Sequence, residues 1–490
     1  MHKSVVTFLA LSAGTVAATV GVSTEMSPIG GLLALAICGS AAILRPKHTL
    51  VIVAVSAAVA IGLLRATIAR STFADTSGEG RTVTISGVVR EVRSSSFTTV
   101  LTVAVRDCLD TETREVCAIR GIRRLRVETP VMATDVPNGI RTTCRLRRIA
   151  ESSDAPGIWA YRAAARGVLY TCRTKTVEPW TPRLFPDRIA GVLQTFRQFG
   201  ESAIARYVSA PSGALSAGLI FGGDDRLSRE WQSAFSGAGL THIVAVSGYN
   251  VAVIAHAVLV LAVAMGLYRT QAIVVAIAAI AAFVVMIGAP SSAVRAAIMG
   301  VVTLGVVYGG RSHGAWNALA LAAATMVMIQ PFRGLYDIGF QLSVAATAGI
   351  IGLVPLWGVI GYAPRVLREL VAVTMSAQIS VAPLIAYHFG VISPWALISN
   401  LVVLPMIPAA MALSVLVVFC AWVASPVAAV LGSVTALILG WVFFVVRHTA
   451  ETVSVSPPLW SVVGCYAAAF ACILWMIHRR RRCIHHHKSK

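Results

Sequence analysis

Long apolar runs constrain this chain more than any other feature. Stretches of about 18 or more residues with few charges recur along its 490 residues, and each is long enough to cross a bilayer as a helix. Only 13% of the residues are charged, against roughly 25% in an average globular domain, and 57% are hydrophobic. These values exclude a soluble enzyme and a disordered chain, and they predict a polytopic α-helical membrane protein.

The apolar runs predict about twelve membrane spans. About three belong to an N-terminal segment, 1–74, and about nine to a larger domain, 239–478, which a basic tail follows at 479–490. Several spans contain Pro or Gly, and broken helices at membrane depth occur only against protein or a water-filled cavity. The nine spans are predicted at 240–267, 270–290, 291–310, 317–331, 335–357, 369–390, 396–423, 426–447 and 459–478.

The distribution of basic residues predicts the orientation in the membrane. The formal net charge is +20. With twelve spans and an inside N-terminus, the short inner segments hold thirteen Lys and Arg residues, against three in the short outer segments. Both termini are therefore expected in the cytoplasm, and residues 75–240 are expected outside it.

Residues 75–182 have a different character. They hold 12 of the 21 acidic residues and are rich in Val and Thr with partial alternation, which is typical of β-strands. About five short strands with one short helix before the fifth suggest a small, extracytoplasmic, all-β barrel of OB type. The strands are predicted at 82–92, 97–106, 122–129, 139–149 and 167–177, and the helix at 156–165.

Four of the nine cysteines lie in this β segment: Cys108, Cys117, Cys144 and Cys172. An even number of cysteines outside the cytoplasm indicates disulfides, and four cysteines allow three connectivities. Pairing Cys108 with Cys117 would close a loop between strands two and three, and pairing Cys144 with Cys172 would tie two neighbouring strands. This connectivity is favoured, and four free buried thiols are the alternative.

Residues 183–238 are predicted to form an amphipathic helix and a linker. Up to residue 208, apolar side chains recur at helical spacing on one side and arginines mark the other, which is typical of a helix lying on the bilayer surface. Ala214, Gly218 and Gly222 then form a ridge of small residues that allows close helix packing.

Polar residues inside the apolar spans are the candidate functional residues, because such residues are costly in a membrane. For each one alone, a hydrogen bond between helices is the competing interpretation. Together they suggest a polar path through the bundle. The candidates are His242, Ser247, Asn250, Arg295, Asp337, Gln341, Gln378 and Asn400, and His256 and His388 are also polar residues of these spans.

The sequence contains no motif of a nucleotide-driven motor or a hydrolase, since P-loop, HExxH, GxSxG and clustered CxxC patterns do not occur. His242 and His256 are about four helical turns apart, which is too far for a metal pair. For His485–His487, which lie in the basic tail, uncharged residues without a specific role are the simpler interpretation. No catalytic residue, metal or cofactor is therefore expected, and the protein is expected not to be an enzyme.

The segment Ala238–Val251, AGLTHIVAVSGYNV, resembles the signature of the ComEC family of bacterial competence proteins. The resemblance continues upstream in 218–228 and downstream in 290–296, 337–347 and 382–405. The β segment, with Trp159-Ala-Tyr161 before its last strand, also lies where that family has an OB-like domain.

The resemblance implies an inner-membrane channel that imports single-stranded DNA during natural transformation, with the polar set above as its DNA path. The implied partners are single-stranded DNA, membrane lipid, a DNA receptor and a cytoplasmic motor of the competence machinery. Twelve spans would equally suit a secondary transporter or a lipid-interacting permease, and a non-transporting scaffold of the uptake machinery is a third hypothesis.

Three features depart from the family pattern. Many relatives have His where this chain has Asn250, which argues against a metal role there. The family's Gly-Asp step matches either Asp224 or Asp225. Many relatives carry a metallo-β-lactamase-like domain, whereas no HxHxDH run occurs here, so a form without that C-terminal domain is expected.

Arginines of the third and fourth strands form the predicted DNA-binding surface. Single-stranded nucleic acid binds positive grooves with aromatic platforms, and OB folds often provide them. Salt bridges with the local acidic residues are the alternative role for these arginines. The predicted surface is Arg120, Arg123, Arg124, Arg126, Arg145, Arg147 and Arg148, with Arg141 beside them.

Overall fold

The structure is a computed structural model, and it describes most of the chain from residue 78 to residue 455. The predicted N-terminal helices lie almost wholly outside the described residues, and the span 459–478 and the basic tail lie outside them entirely. The described residues are 61–62, 64, 67–68, 78–94, 98–113, 116–117, 124–131, 136–137, 139–149, 158–181, 185–222, 226–244, 248–308, 315–357, 365–455 and 458.

The chain divides into two compact units. The first comprises residues 1–202 and 248–340, and the second comprises residues 203–247 and 341–490. The β segment belongs to the first unit.

Five strands of the first unit close into a barrel. Hydrogen bonding gives the order β1-β2-β3-β5-β4-β6, and β1 also pairs with β4, which closes the sheet. The β3–β5 pair is parallel and the other pairs are antiparallel, and a closed five-stranded barrel of this kind is OB-like. The strands are β1 (Thr82–Ser94), β2 (Thr99–Asp110), β3 (Arg124–Thr129), β4 (Gly139–Arg148), β5 (Val168–Arg173) and β6 (Glu178–Pro179).

Strand alternation explains the barrel core. Successive side chains of a strand point to opposite faces, so every second residue enters the barrel. Val83 and Ile85 of β1 are fully buried in this way, as are Leu101 and Val103 of β2. The sequence prediction of a small all-β barrel is confirmed.

Both favoured disulfides are present. Cys108 bonds Cys117 with 5.3 Å between the Cα atoms, and Cys144 bonds Cys172 with 5.8 Å. The first closes the loop after β2, and the second ties β4 to β5 inside the barrel core, where both of its cysteines are buried.

The helices described in the chain are mostly apolar. In chain order they are α1 (Ile158–Ala165), α2 (Phe185–Tyr207), α3 (Ser212–Phe221), α4 (Arg229–Gly237), α5 (Thr241–Val244), α6 (Gly248–Ala264), α7 (Arg269–Met286), α8 (Ser291–Tyr308), α9 (Ala315–Ile329), α10 (Arg333–Tyr336), α11 (Ile338–Leu353), α12 (Arg365–Phe389), α13 (Ala396–Val403), α14 (Met406–Val423) and α15 (Ser425–Thr449). The short strands β7 (Val391–Ile392) and β8 (Val453–Ser454) pair with each other.

Four of these helices are long and apolar enough to cross a membrane: α7, most of α12, α14 and α15. Among the described residues, α3, α6, α9, α11 and part of α8 are apolar but shorter. The total of twelve spans therefore remains a prediction. The predicted span 396–423 consists of two helices, α13 and α14, with a turn at Leu404-Pro405, and Pro405 has no N–H to continue a helix.

The helix α1 of the β segment contacts the short helix α10 in the first unit. The helix α1, which lies between β4 and β5 as predicted, packs on the segment after α9. The rings of Tyr161 and Tyr336 stack with 4.7 Å between centroids, beside the buried Phe332. Gln330 donates to the carbonyl of Ala164, and Arg333 Nε donates to the carbonyl of Ala165 at 3.3 Å, so both satisfy the C-terminal end of α1.

The second unit is built around α3, which is almost completely buried against α14 and α15. Six of its ten residues are Ser, Gly or Ala, and such small side chains permit close helix packing. The Ser216 hydroxyl donates to Ser414 Oγ at 2.7 Å, and the Ser212 hydroxyl donates to the carbonyl of Ala436 at 3.3 Å. Hydrogen bonds between helices therefore supplement the packing.

Candidate functional site

Four arginines form a basic patch on the outside of the barrel. In one row across three neighbouring strands, Arg126 of β3 faces Thr171 of β5, which faces Arg147 of β4. In the next row, Glu128, Arg173 and Arg145 are placed in the same order. We call Arg126, Arg145, Arg147 and Arg173 the arginine patch.

One acidic residue lies within the arginine patch and partly neutralises it. Glu128 accepts from Arg173 Nε at 2.8 Å and lies 3.4 Å from the Arg126 guanidinium. The salt-bridge interpretation is thus correct for Arg126, and Arg173 forms a second ion pair with the same carboxylate. Arg147 is exposed, and Arg145 is exposed with its Nε bonded to the carbonyl of Gly80 at 2.9 Å. All four patch arginines are exposed on the surface, since the side chains of Arg126 and Arg173 are 49% and 82% exposed despite their ion pairs.

The other predicted surface arginines take different positions. Arg124 donates to the carbonyl of Arg166 at 3.1 Å, so it binds the segment after α1. Arg141 donates to the Ser86 hydroxyl at 3.2 Å, and Arg148 is half-buried at the end of β4. Arg120 and Arg123 lie outside the described residues.

Arg173 is not among the surface arginines predicted from the sequence. It follows Cys172 directly, and the disulfide joins Cys172 to Cys144 of β4. The predicted disulfide therefore indicates that β5 lies beside the arginines of β4. The register of the paired strands is needed to place these arginines in the two rows of the patch.

Two of the predicted path residues are buried in the helices of the first unit. Asn250 lies in the first turn of α6, and Arg295 lies in the first part of α8, which packs against α6. The Arg295 guanidinium lies against the start of α6, 3.3 Å from where a Cβ on Gly248 would be, and Nη1 lies 3.4 Å from Met299 Sδ. A buried cation thus adjoins the beginning of α6, which starts within the signature segment.

Asp337 has a structural contact at the start of α11. Its Oδ1 accepts from the backbone N–H of Phe340 at 3.1 Å, which is the geometry of a helix N-cap. Nearby, burial lowers the pKa of Arg333, the charge of Asp337 raises it, and the charge of Arg124 lowers it further. Asp337 therefore stabilises both a helix end and a half-buried arginine.

In the second unit, Asn400 and Ser399 hold the turn that begins the signature segment. The buried Ser399 hydroxyl donates to the carbonyl of Ala238 at 2.6 Å, and Asn400 Nδ2 lies 3.4 Å from the carbonyl of Gly239. Gly239 has a φ of +71°, and a Cβ there would lie 2.5 Å from the Cβ of Ala396. This turn therefore requires glycine, and it places α5 with the exposed His242.

The remaining candidates of the second unit are Gln341 and Gln378. Gln341 Oε1 lies 2.7 Å from His388 Nε2, so a hydrogen bond connects α11 to α12. Gln378 is half-buried on α12. Ser247 and the two candidate aspartates, Asp224 and Asp225, lie outside the described residues.

The candidates are thus distributed over both units. Asn250, Arg295 and Asp337 belong to the first unit, and His242, Gln341, Gln378 and Asn400 belong to the second. A path shared by all of them remains a prediction. Over the residues that the structure describes, no group of three His, Cys, Asp or Glu side chains is placed to hold a metal ion.

Apolar helices of membrane-spanning length with buried polar side chains, together with a basic OB-like barrel, define a helical membrane protein with a small β-domain that carries positive charge. The chain belongs to the competence protein family, whose model matches residues 219–480. That match includes the turn at Gly239, the buried Arg295 and every helix from α4 to α15.

One similar curated protein is ComE operon protein 3 of Bacillus subtilis (strain 168). It is 26% identical to this chain over 174 residues, which is 35% of this chain and 22% of the relative. The matched segment thus spans about a fifth of the relative's length. No solved structure matches this chain.

Proposed function

We propose that this protein is a channel that imports single-stranded DNA across a bacterial inner membrane during natural transformation. The observation that carries the proposal is the family match over residues 219–480, joined in the same chain to a barrel with an exposed arginine patch. The protein acts as a conduit and not as an enzyme.

The arginine patch is the proposed capture surface. Phosphate contacts provide most of the affinity for single strands and are weakened by salt because bound counterions are released. OB folds bind single strands on such positive surfaces. Arg147 and Arg145 are the residues on which we expect capture to depend most, because the ion pairs of Glu128 are with Arg126 and Arg173.

Passage follows capture along a mainly neutral polar path. Residues 237–478 contain seven basic and three acidic residues, so a strand would meet few strong phosphate contacts there. A lining dense in arginine would hold the strand, because each contact must be broken for the strand to move. We assign Arg295 to this path as a single buried cation beside the start of α6.

The proposed topology follows the positive-inside rule. The barrel lies outside, both termini lie in the cytoplasm and the chain crosses the membrane several times. A DNA receptor would deliver DNA to the barrel, and a cytoplasmic motor would draw on the strand. Membrane lipid surrounds the helices.

Uptake of labelled DNA by a deletion strain complemented with variants tests the proposal. Arg295→Ala should reduce DNA import at least tenfold while the purified protein binds DNA normally. Arg447→Ala is the matched control, because Arg447 is exposed in the last turn of α15. Import of DNA at the parental rate by Arg295→Ala, at normal expression, would remove Arg295 from the path.

The capture step is tested by DNA binding at several salt concentrations. Arg147→Gln should weaken binding and reduce the slope of log K against log salt by about 0.7, the value for one phosphate contact with a single strand. Arg106→Gln is the control, because Arg106 is an exposed barrel arginine outside the two rows of the patch. Equal slopes for both variants would contradict capture by the patch.

Small-solute uptake and a blocked channel separate the other hypotheses. If the deletion strain loses uptake of a small solute and keeps DNA import, the protein is a secondary transporter or a lipid-interacting permease. If a variant with its path blocked restores DNA import, the protein is a scaffold of the uptake machinery.

A further inference from the structure

A groove lies between the barrel and the helix α2. Its volume is about 440 Å³, and its walls are mainly apolar. The side chains on which the argument depends are Pro137, Pro179 and Trp180 on the barrel side, and Arg188, Val192 and Thr195 on α2.

Hydrogen bonds place α2 at the end of a candidate membrane span. Arg197 donates from Nη1 to the carbonyl of Met286 at 3.3 Å, and Gln194 Nε2 lies 3.4 Å from the same oxygen. Met286 is the last residue of α7, which is long and apolar enough to cross a membrane. The groove, whose residue Thr195 adjoins Gln194, is therefore at the level where a bilayer surface would meet the protein.

An apolar stripe on α2 continues from the groove. Val192 lines the groove and is 69% exposed, and Ile189, Phe196 and Phe199 are between 40% and 53% exposed. These residues recur at helical spacing, so they lie along one side of α2. Exposed apolar side chains in such number mark a surface that contacts a partner or a membrane.

One cation accompanies these apolar walls. Arg188 is exposed at the groove, one helical turn from Val192. An arginine guanidinium matches a phosphate group in charge and geometry, and tryptophan is typical of the membrane–water interface. The groove thus combines an apolar wall for an acyl chain with a donor for a charged headgroup.

We propose that this groove binds a membrane phospholipid with an anionic headgroup. The acyl chain packs against Trp180 and Val192 and continues along the stripe, and the phosphate contacts Arg188. Single-stranded DNA fits this groove less well, because its phosphates need several cations and Arg188 is the one cation among the described residues that line the groove. The lipid site does not depend on the proposed function in DNA import.

A photoreactive amino acid at position 192 tests the proposal on the full-length protein. The variant Val192→p-benzoylphenylalanine is placed in nanodiscs of equal parts phosphatidylglycerol and phosphatidylcholine, and cross-linked molecules are identified by mass spectrometry. We expect cross-links to lipid, with phosphatidylglycerol preferred about fivefold, the ratio for one basic side chain at an anionic surface. The same probe at Thr143, exposed on β4, should not cross-link lipid.

The headgroup contact is tested by adding Arg188→Gln to the photoreactive variant. The preference for phosphatidylglycerol should disappear while lipid cross-links remain. Arg206→Gln is the matched control, because Arg206 is exposed on the same helix but does not line the groove. The control should keep the preference.

Four results would overturn the proposal. Cross-links from position 192 only to other parts of the chain would mean that protein fills the groove. Cross-links to added single-stranded oligonucleotide in place of lipid would make the groove a DNA site. Equal cross-linking of lipid from positions 192 and 143, or equal effects of Arg188→Gln and Arg206→Gln, would remove the specific site.

Discussion

The barrel and the apolar helices of this protein have opposite surfaces. In the barrel, aliphatic side chains such as Val83 and Ile85 are fully buried, and arginines such as Arg147 are exposed. In the helices, Trp422 is 80% exposed and Leu437 is 77% exposed, whereas Asn250 is 1% exposed and Ser216 is completely buried.

This difference shows that the two regions are built for different solvents. Water favours charge on the outside of the barrel, and hydrocarbon favours apolar side chains on the outside of the helices. Polar side chains in the helices then bond another helix, as Ser216 does, or a backbone carbonyl of their own helix, as Ser433 does. An exposed apolar residue therefore indicates contact with lipid in the helices, whereas apolar residues of the barrel form its buried core.

The largest effect is expected from Gly239→Ala. The added Cβ would lie 2.5 Å from the Cβ of Ala396, and the left-handed backbone adds strain. We expect a loss of about 4 kcal/mol in the free energy of unfolding in detergent. Gly266→Ala has a similar φ of +83° but no atom within 4 Å of the new Cβ, so it should lose only about 1 kcal/mol. Equal losses would show that conformation, and not packing against α13, makes glycine necessary at 239.

Disulfide removal should destabilise the barrel by almost as much. The double variant Cys144→Ala/Cys172→Ala opens a loop with a sequence separation of 28 residues, and Cys108→Ala/Cys117→Ala opens one of 9. The chain-entropy model gives losses of about 3.5 and about 2.5 kcal/mol. Proteolysis of the barrel in the full-length protein measures both, with Cys420→Ala of α14 as the control. A greater effect from the shorter loop would contradict the model.

A matched pair of arginine substitutions tests the opposite surfaces directly. Leu437, in the middle of α15, and Val116, in the barrel domain, are 77% and 78% exposed. Leu437→Arg should cost about 3 kcal/mol, because the charge would enter hydrocarbon, and should reduce the yield of inserted protein. Val116→Arg should change stability by less than about 0.5 kcal/mol. Equal tolerance at both positions would mean that α15 does not face lipid at residue 437.

The smallest effect is expected inside the second unit. Ser216→Ala removes the hydrogen bond to Ser414, but Ser414 still donates to the carbonyl of Ala410 at 2.6 Å. The loss should be about 0.6 kcal/mol, the average for such bonds in membrane proteins. Ser433→Ala, at an exposed position of α15, is the control and should be neutral. A loss above about 2 kcal/mol would show that the buried serines, and not the small-residue packing, hold α3 in place.

The barrel was largely predictable because its rules are local. Alternation in 82–92 and 139–149 predicted β1 and β4, and cysteine spacing predicted both disulfides. The charge rows were less predictable, because Arg173 joins Arg145 only through strand pairing. The break at Leu404-Pro405 also follows a local signal, because proline interrupts a helix.

The sequence by itself determined the solvent of each region, the positions of the strands and the close packing of α3. The composition, the spacing of apolar residues and the runs of small residues that predict these features all lie within short stretches of the chain. Only the tertiary structure decided what the polar residues of the helices do. Asn400 and Ser399 hold the turn at Gly239, Asp337 caps α11 and Gln341 binds His388. Each of these contacts except the cap joins residues at least 47 positions apart. The spacing of residues along the chain does not predict which residues so far apart will meet.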